Sequence, residues 1–126
     1  MKRIIFAFAL MFFLIGFNLF CFYIVSEIGA EASEKLGNIY EILESGNTRK
    51  AAEECEKFTA YWLSKQHILS LIVRHNLLDQ TTSSVACFVP LAKFGETGKL
   101  ASEINRCRVL IEEIRDSERP LLRNIF

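Results

Sequence analysis

Residues 4–25 read IIFAFALMFFLIGFNLFCFYIV, a nearly unbroken apolar run behind Met1-Lys2-Arg3 that only Gly16 and Asn18 interrupt. At about 1.5 Å of rise per residue, about twenty-two residues make a helix of roughly 33 Å, enough to cross a hydrocarbon layer of roughly 30 Å with slight tilt. The run therefore reads as a membrane anchor over residues 1–26, leaving residues 27–126 as one outer domain. The competing reading is a cleaved signal peptide, with Lys2 and Arg3 as its basic start, Ala30-Glu31-Ala32 as its small-x-small site, and secretion after cleavage near Ala32 as its outcome. A signal peptide's apolar region spans only about 7 to 15 residues, so the length favours an uncleaved anchor. Cys21 does not fit a lipid-attachment site, because bulky Phe20 stands where a small residue is needed, and it reads as an apolar membrane residue.

Charge sets the expected orientation. Lys2 and Arg3 precede the run, whereas Glu27, Glu31 and Glu34 follow it against a single Lys35, so the N-terminus is expected in the cytoplasm and the bulk of the chain outside, as a single-pass protein of the cell membrane. All acidic residues lie beyond the run, and the outer part is close to neutral. That balance gives no reason to expect nucleic acid as a partner.

The outer part reads as all-α, with long antiparallel helices forming a hairpin or small bundle. Leu36, Ile39, Tyr40 and Leu43 recur on one helical face behind Ser33 as a possible cap, either as a new helix or as the outward continuation of the membrane helix, up to Ser45-Gly46-Asn47. Thr48 is the expected cap of the next helix, whose stripe runs Ala51, Cys55, Phe58, Trp62, Leu69 and Ile72. With no glycine or proline between Thr48 and Val89, the same helix is expected to continue past His75 through Leu78, Thr81, Val85, Phe88 and Ala92, kinked by Pro90. Gly95-Glu96-Thr97-Gly98 marks a reversal. Leu100, Ile104, Cys107, Ile111 and Ile114 then form the seam of a helix packed lengthwise on another, expected to end before Pro120.

Trp62, His75 with Leu78-Asp79, Glu103 within its apolar seam, and the ending Asn124-Ile125-Phe126 after Glu118 resemble, in order and spacing, the bacterial domain-of-unknown-function family 4363. Members are short proteins of spore-forming bacteria, mostly, with an N-terminal membrane segment and a helical remainder. Pro90 departs from the family's smoother helix. The resemblance implies no activity; it implies a membrane-tethered helical protein, with a multi-pass membrane protein as a candidate partner.

Candidates for chemistry are few. His67, His75 and Asp79 could supply part of a metal site, but a hydrogen bond between His75 and Asp79 across one helical turn, or a histidine packed under the tail, is much the simpler explanation, and neither a metal nor another cofactor is expected. Ser83 and Ser84 have no Gly-rich elbow and no oriented base, which argues against a hydrolase. Arg49 to Lys57 reads as a solvated face with Glu53 and Lys57 paired. If the chain reverses at Thr97, Cys87 and Cys107 lie at equal height and are the candidate disulfide should any form, although Cys87 lies beside the stripe and free thiols filling the seam are the preferred reading. Trp62 with Phe58 and Tyr61 reads as a core anchor. An extended tail after Pro120 would bring Ile125 and Phe126 back to Trp62 or Phe58, with His75 marking where the tail lies down. The expected role is non-enzymatic binding or assembly at the membrane. A sensor coupled to a partner membrane protein is the alternative, and a metal-dependent enzyme the third reading; the sequence does not fix an oligomeric state.

Overall fold

The apolar run lies within one continuous helix, α1 (Lys2–Glu44), which carries straight on from the run into the helical bundle. The computed structural model describes the backbone of residues 1–125 and the side chains through Asp116. Along α1 the surroundings change abruptly. Every residue through Phe20 is exposed, whereas Val25, Ile28, Gly29, Ala32, Leu36 and Ile39 are buried on one face at helical spacing. Ser33 sits inside this helix and caps nothing. The helix closes at Ser45, whose hydroxyl donates to the Ile42 carbonyl, and Gly46 makes the turn at φ 85°.

The second helix, α2 (Thr48–Ile72), is capped by Asn47, whose Oδ1 accepts from the Lys50 amide at 3.2 Å; the cap lies one residue before the expected Thr48. The larger departure comes at its other end. Instead of one helix to Val89, the chain leaves helical geometry at Val73 (ψ 152°) and Arg74 (ψ 131°) and folds back as α3 (His75–Ala86). Neither residue is a breaker. A straight helix could pack Leu78, Val85 and Phe88 against the final helix alone, whereas the fold-back also sets this part of the chain against α2 and buries all three, and full burial of such a side chain is worth roughly 1.5–3 kcal/mol. A second interruption at Cys87 separates α3 from the short α4 (Phe88–Lys93), three residues before Pro90, where the missing proline N–H removes the bond a continuous helix needs.

The reversal follows at Phe94 and Gly95, the latter at φ 69°, and α5 (Thr97–Ile125) runs back along the bundle. Its expected seam is buried throughout, from Leu100 to Ile114. The helix does not end before Pro120 but continues to Ile125. Proline removes one backbone donor, and the flanking Glu118, Arg119, Leu121 and Leu122 are strong helix formers that favour continuation. An extended path for the tail is thus corrected; the docking of the Ile125 and Phe126 side chains on Trp62 lies outside the described residues.

The fold is therefore an all-α bundle in which α5 packs on α1 and α3, and α2 packs on α1, α3 and α4. Gly29 permits one close approach: a Cβ there would stand 2.6 Å from Cδ of Arg115, so the aliphatic stem of that arginine crosses α1 directly over the glycine.

Candidate functional site

Trp62 is the hub of the core. It is 1% exposed, stacks on Phe58 with ring centres 6.5 Å apart, and donates from Nε1 to Thr82 Oγ1 at 3.0 Å, which ties α2 to α3. Phe58 in turn meets Phe88 at 5.9 Å. The cluster is enclosed by helices on all sides, as expected of an anchor and not of a ligand platform.

Beside it lies a polar clip that the sequence does not advertise. Ser84 is buried, and its hydroxyl lies 2.9 Å from Glu103 Oε2 and 3.2 Å from the Glu103 carbonyl oxygen, with Arg106 at 3.7 Å from the same carboxylate. The serine thus donates to α5 and fixes the register of α3 against it. Replacing Glu103 by Ala would leave that hydroxyl only the longer bond to the residue's backbone carbonyl, so it and Ser84→Ala are each expected to cost about 1 kcal/mol in denaturant melts of the full chain in detergent. Equal, near-zero losses would show the clip to be idle. Next to it, Ala86, Cys87, Pro90, Leu91, Gly98 and Lys99 line an open, mostly apolar groove of about 540 Å³.

A second polar cluster joins α1 to α2. Lys35 Nζ sits 4.9 Å from the centre of the Tyr61 ring and Lys65 Nζ 6.0 Å, so two cations lie over the ring. The Tyr61 hydroxyl is buried, with the Glu31 carboxylate beside it. Burial, and then the nearby Glu31 carboxylate, push its ionisation well above the usual tyrosine range, so the phenol stays neutral.

The sequence candidates are scattered by comparison. His67, His75 and Asp79 are all exposed, His75 and Asp79 make no hydrogen bond to each other, and among the described residues no group of three or more His, Cys, Asp or Glu could hold a metal ion. Glu53 pairs with Arg49 at 3.9 Å, while Lys57 pairs with Glu54 at 3.4 Å. All four cysteines are free thiols. Cys87 and Cys107 are not at equal height. With Ser84 facing Glu103, the residue level with Cys87 is near Leu100, about seven residues or about 10 Å along α5 from Cys107. The reversal is centred near Phe94, not Thr97, and the break at Cys87 turns that thiol outward.

These settings predict distinct reactivities. Burial, then Glu54, pushes the Cys55 thiol up to about 11, and burial, then Glu103, pushes Cys107 up to about 12. Both remain protonated in the folded protein near neutral pH, whereas Cys87 is exposed. A maleimide pulse on the folded chain should therefore modify Cys87 and spare Cys55 and Cys107, and denaturant should release all of them; comparable rates at Cys87 and Cys107 would contradict this packing. Because the folded-state values are raised, this contribution to stability is complete below about pH 8.5, the unfolded thiol value, and is lost as pH rises towards 11–12.

The groove, the two polar clusters and the exposed apolar length of α1 form no arrangement of nucleophile, base and acceptor among the described residues; what they offer is surface. A family model described as Domain of unknown function (DUF4363) matches residues 19–125. No curated protein and no solved structure matches the chain.

Proposed function

The chain belongs to the DUF4363 family, and on that premise we propose that it is a non-enzymatic, membrane-anchored helical protein whose outer bundle serves binding or assembly beside a membrane partner. The observation that carries this reading is α1 itself. It is one helix long and apolar enough to cross a membrane, its apolar window is 0% buried, and its outer half is a principal element of the core. Exposure of Phe6, Phe12, Phe13 and Phe20 at 60% or more in water would be costly over such an area, and a bilayer removes that cost. Lys2 and Arg3 favour a cytoplasmic N-terminus, with the bundle outside.

A sensor coupled to a partner membrane protein is the second reading. It is favoured by the absence of any break in α1 between the exposed run and the packed bundle, so that a tilt of the bundle would be carried directly into the span.

Protease added to intact protoplasts tests the topology that both readings need. It should remove the bundle and leave a small anchored fragment. A soluble mature protein beginning near Ser33 would overturn the anchor. Photo-crosslinkers at Phe8 and at Leu91 then separate surfaces: adducts with one integral membrane protein from Phe8 support assembly within the bilayer, and failure of both positions to crosslink any protein in native membranes would refute it.

A further inference from the structure

We infer that the α2–α3 turn is a second membrane contact, with Leu71 seated at the boundary between headgroups and acyl chains of the phospholipid bilayer that α1 crosses, and with Arg74 and His75 at the level of the phosphates. The inference rests on the anchor reading above and adds a site to it.

Height carries the argument. Tyr61 of α2 lies against α1 between Glu31 and Lys35, fixed by the Lys35 ammonium over its ring and by the Glu31 carboxylate near its hydroxyl. The two helices are antiparallel, so ten residues further along α2 corresponds to about ten residues back along α1. Each step covers about 15 Å, and Leu71 arrives level with Tyr23. That is where α1 changes character: Phe20 and everything before it is exposed, while Val25 is buried in the core. The edge of the bundle and the end of the exposed run therefore lie in one plane, and the α2–α3 turn lies in it.

The turn has the composition such a plane requires. Leu71 is 78% exposed, with Ile68 at 39% one helical turn before it on the same face, although Leu69 and Val73 beside them are buried. An exposed leucine at the end of a helix that had buried apolar alternatives close by is unexplained by the core. Arg74 and His75 follow at once, both exposed, at the N-terminal start of α3. Apolar side chains flanked by a guanidinium and a polar ring are what a headgroup boundary accommodates, the apolar atoms below and the Arg74 charge beside the phosphates. One leucine alone would not hold a protein on a membrane, but the tether of α1 keeps this turn at the surface, so its seating needs no separate encounter. The consequence is orientation: two contacts fix the tilt of the bundle and turn the groove near Cys87 to the far end, away from the lipid.

The test uses the full chain with Cys21→Ala and Cys87→Ser. Buried Cys55 and Cys107 stay in place, since each is 0% exposed. An environment-sensitive nitrobenzoxadiazole label is attached at a cysteine replacing Leu71, Phe94 or Phe12 in turn, in phosphatidylcholine and phosphatidylglycerol vesicles. Phe94, 82% exposed, lies at the opposite end of the bundle, three residues before Thr97, which shares a pocket with Leu43 of α1, itself about 30 Å along the helix from Tyr23. Expected are quenching of label 71 by lipids carrying a nitroxide near the headgroup and iodide quenching at least about threefold weaker than at 94. Iodide quenching at 71 equal to that at 94, with label 12 shielded, would overturn the second contact and leave the anchor standing. Iodide reaching label 12 as well would overturn the anchor and this inference with it.

Discussion

Trp62→Ala should remove a large share of the bundle's stability. The loss expected for emptying a buried tryptophan site is about 3–5 kcal/mol, and a domain of this size commonly has only about 5–15 kcal/mol in total. The site is unusually unable to collapse, because Trp62 is held on one face by Phe58 and bound at its edge to Thr82, and Phe58 leans in turn on Phe88. Removing the indole would therefore loosen α2 from both α3 and α4. Trp62→Phe is the informative partner. It keeps an aromatic stack on Phe58 but deletes the Nε1 donor, so about 1–2 kcal/mol should be lost, the hydrogen bond accounting for about 1 kcal/mol of it. Helical circular dichroism followed through a denaturant titration in micelles measures both; the exposed run of α1 stays helical in detergent, so the transition reports the bundle. A Trp62→Ala chain within about 1 kcal/mol of the parent would show that the cluster is not the centre of the core.

What the sequence revealed and what it withheld divide along a physical line. The α5 seam was legible because Leu100, Ile104, Cys107, Ile111 and Ile114 keep a strict helical stagger with no competing signal, and all are buried. Trp62 was legible because a lone tryptophan in an apolar stripe has few other uses. The fold-back at Val73 and Arg74 was not, because no residue there forbids a helix; the gain comes from burying Leu78, Val85 and Phe88 against partners distant in sequence, which local propensity does not register. Everything that depends on that fold-back was hidden with it. Ser84 meets Glu103, and Trp62 meets Thr82, only once α3 is antiparallel to α2 and the reversal is centred near Phe94. Polar Thr81 and Ser84 within an otherwise apolar stripe were the available hint, since buried hydroxyls need acceptors. The misplaced height of Cys87 against Cys107 has the same origin, a turn assigned to Thr97 when the glycine at positive φ is Gly95.

Two arginines in the apolar run should release the chain from the membrane where one does not. Between Ile4 and Val25 there are fifteen Ile, Leu, Phe and Val residues; at about 0.3–0.6 kcal/mol each they favour insertion by roughly 7 kcal/mol. Leu14→Arg near the centre of the run forfeits one of these and adds about 2.5–3.5 kcal/mol, which leaves insertion favourable. Leu10→Arg added one helical turn away brings the total loss to about the whole gain. Carbonate-washed membranes should retain the single variant and lose most of the double one. Both side chains are half-exposed and touch none of the buried core, so the bundle's own melting transition should stay where it is. That separates a bilayer effect from misfolding. Retention of the double variant at the parent's level would mean that the outer bundle, through its partner or its own lipid contacts, holds the chain in place without the span. Release of the parent chain itself would mean that the run is removed in the mature protein, and the weight of the argument would pass to the bundle alone.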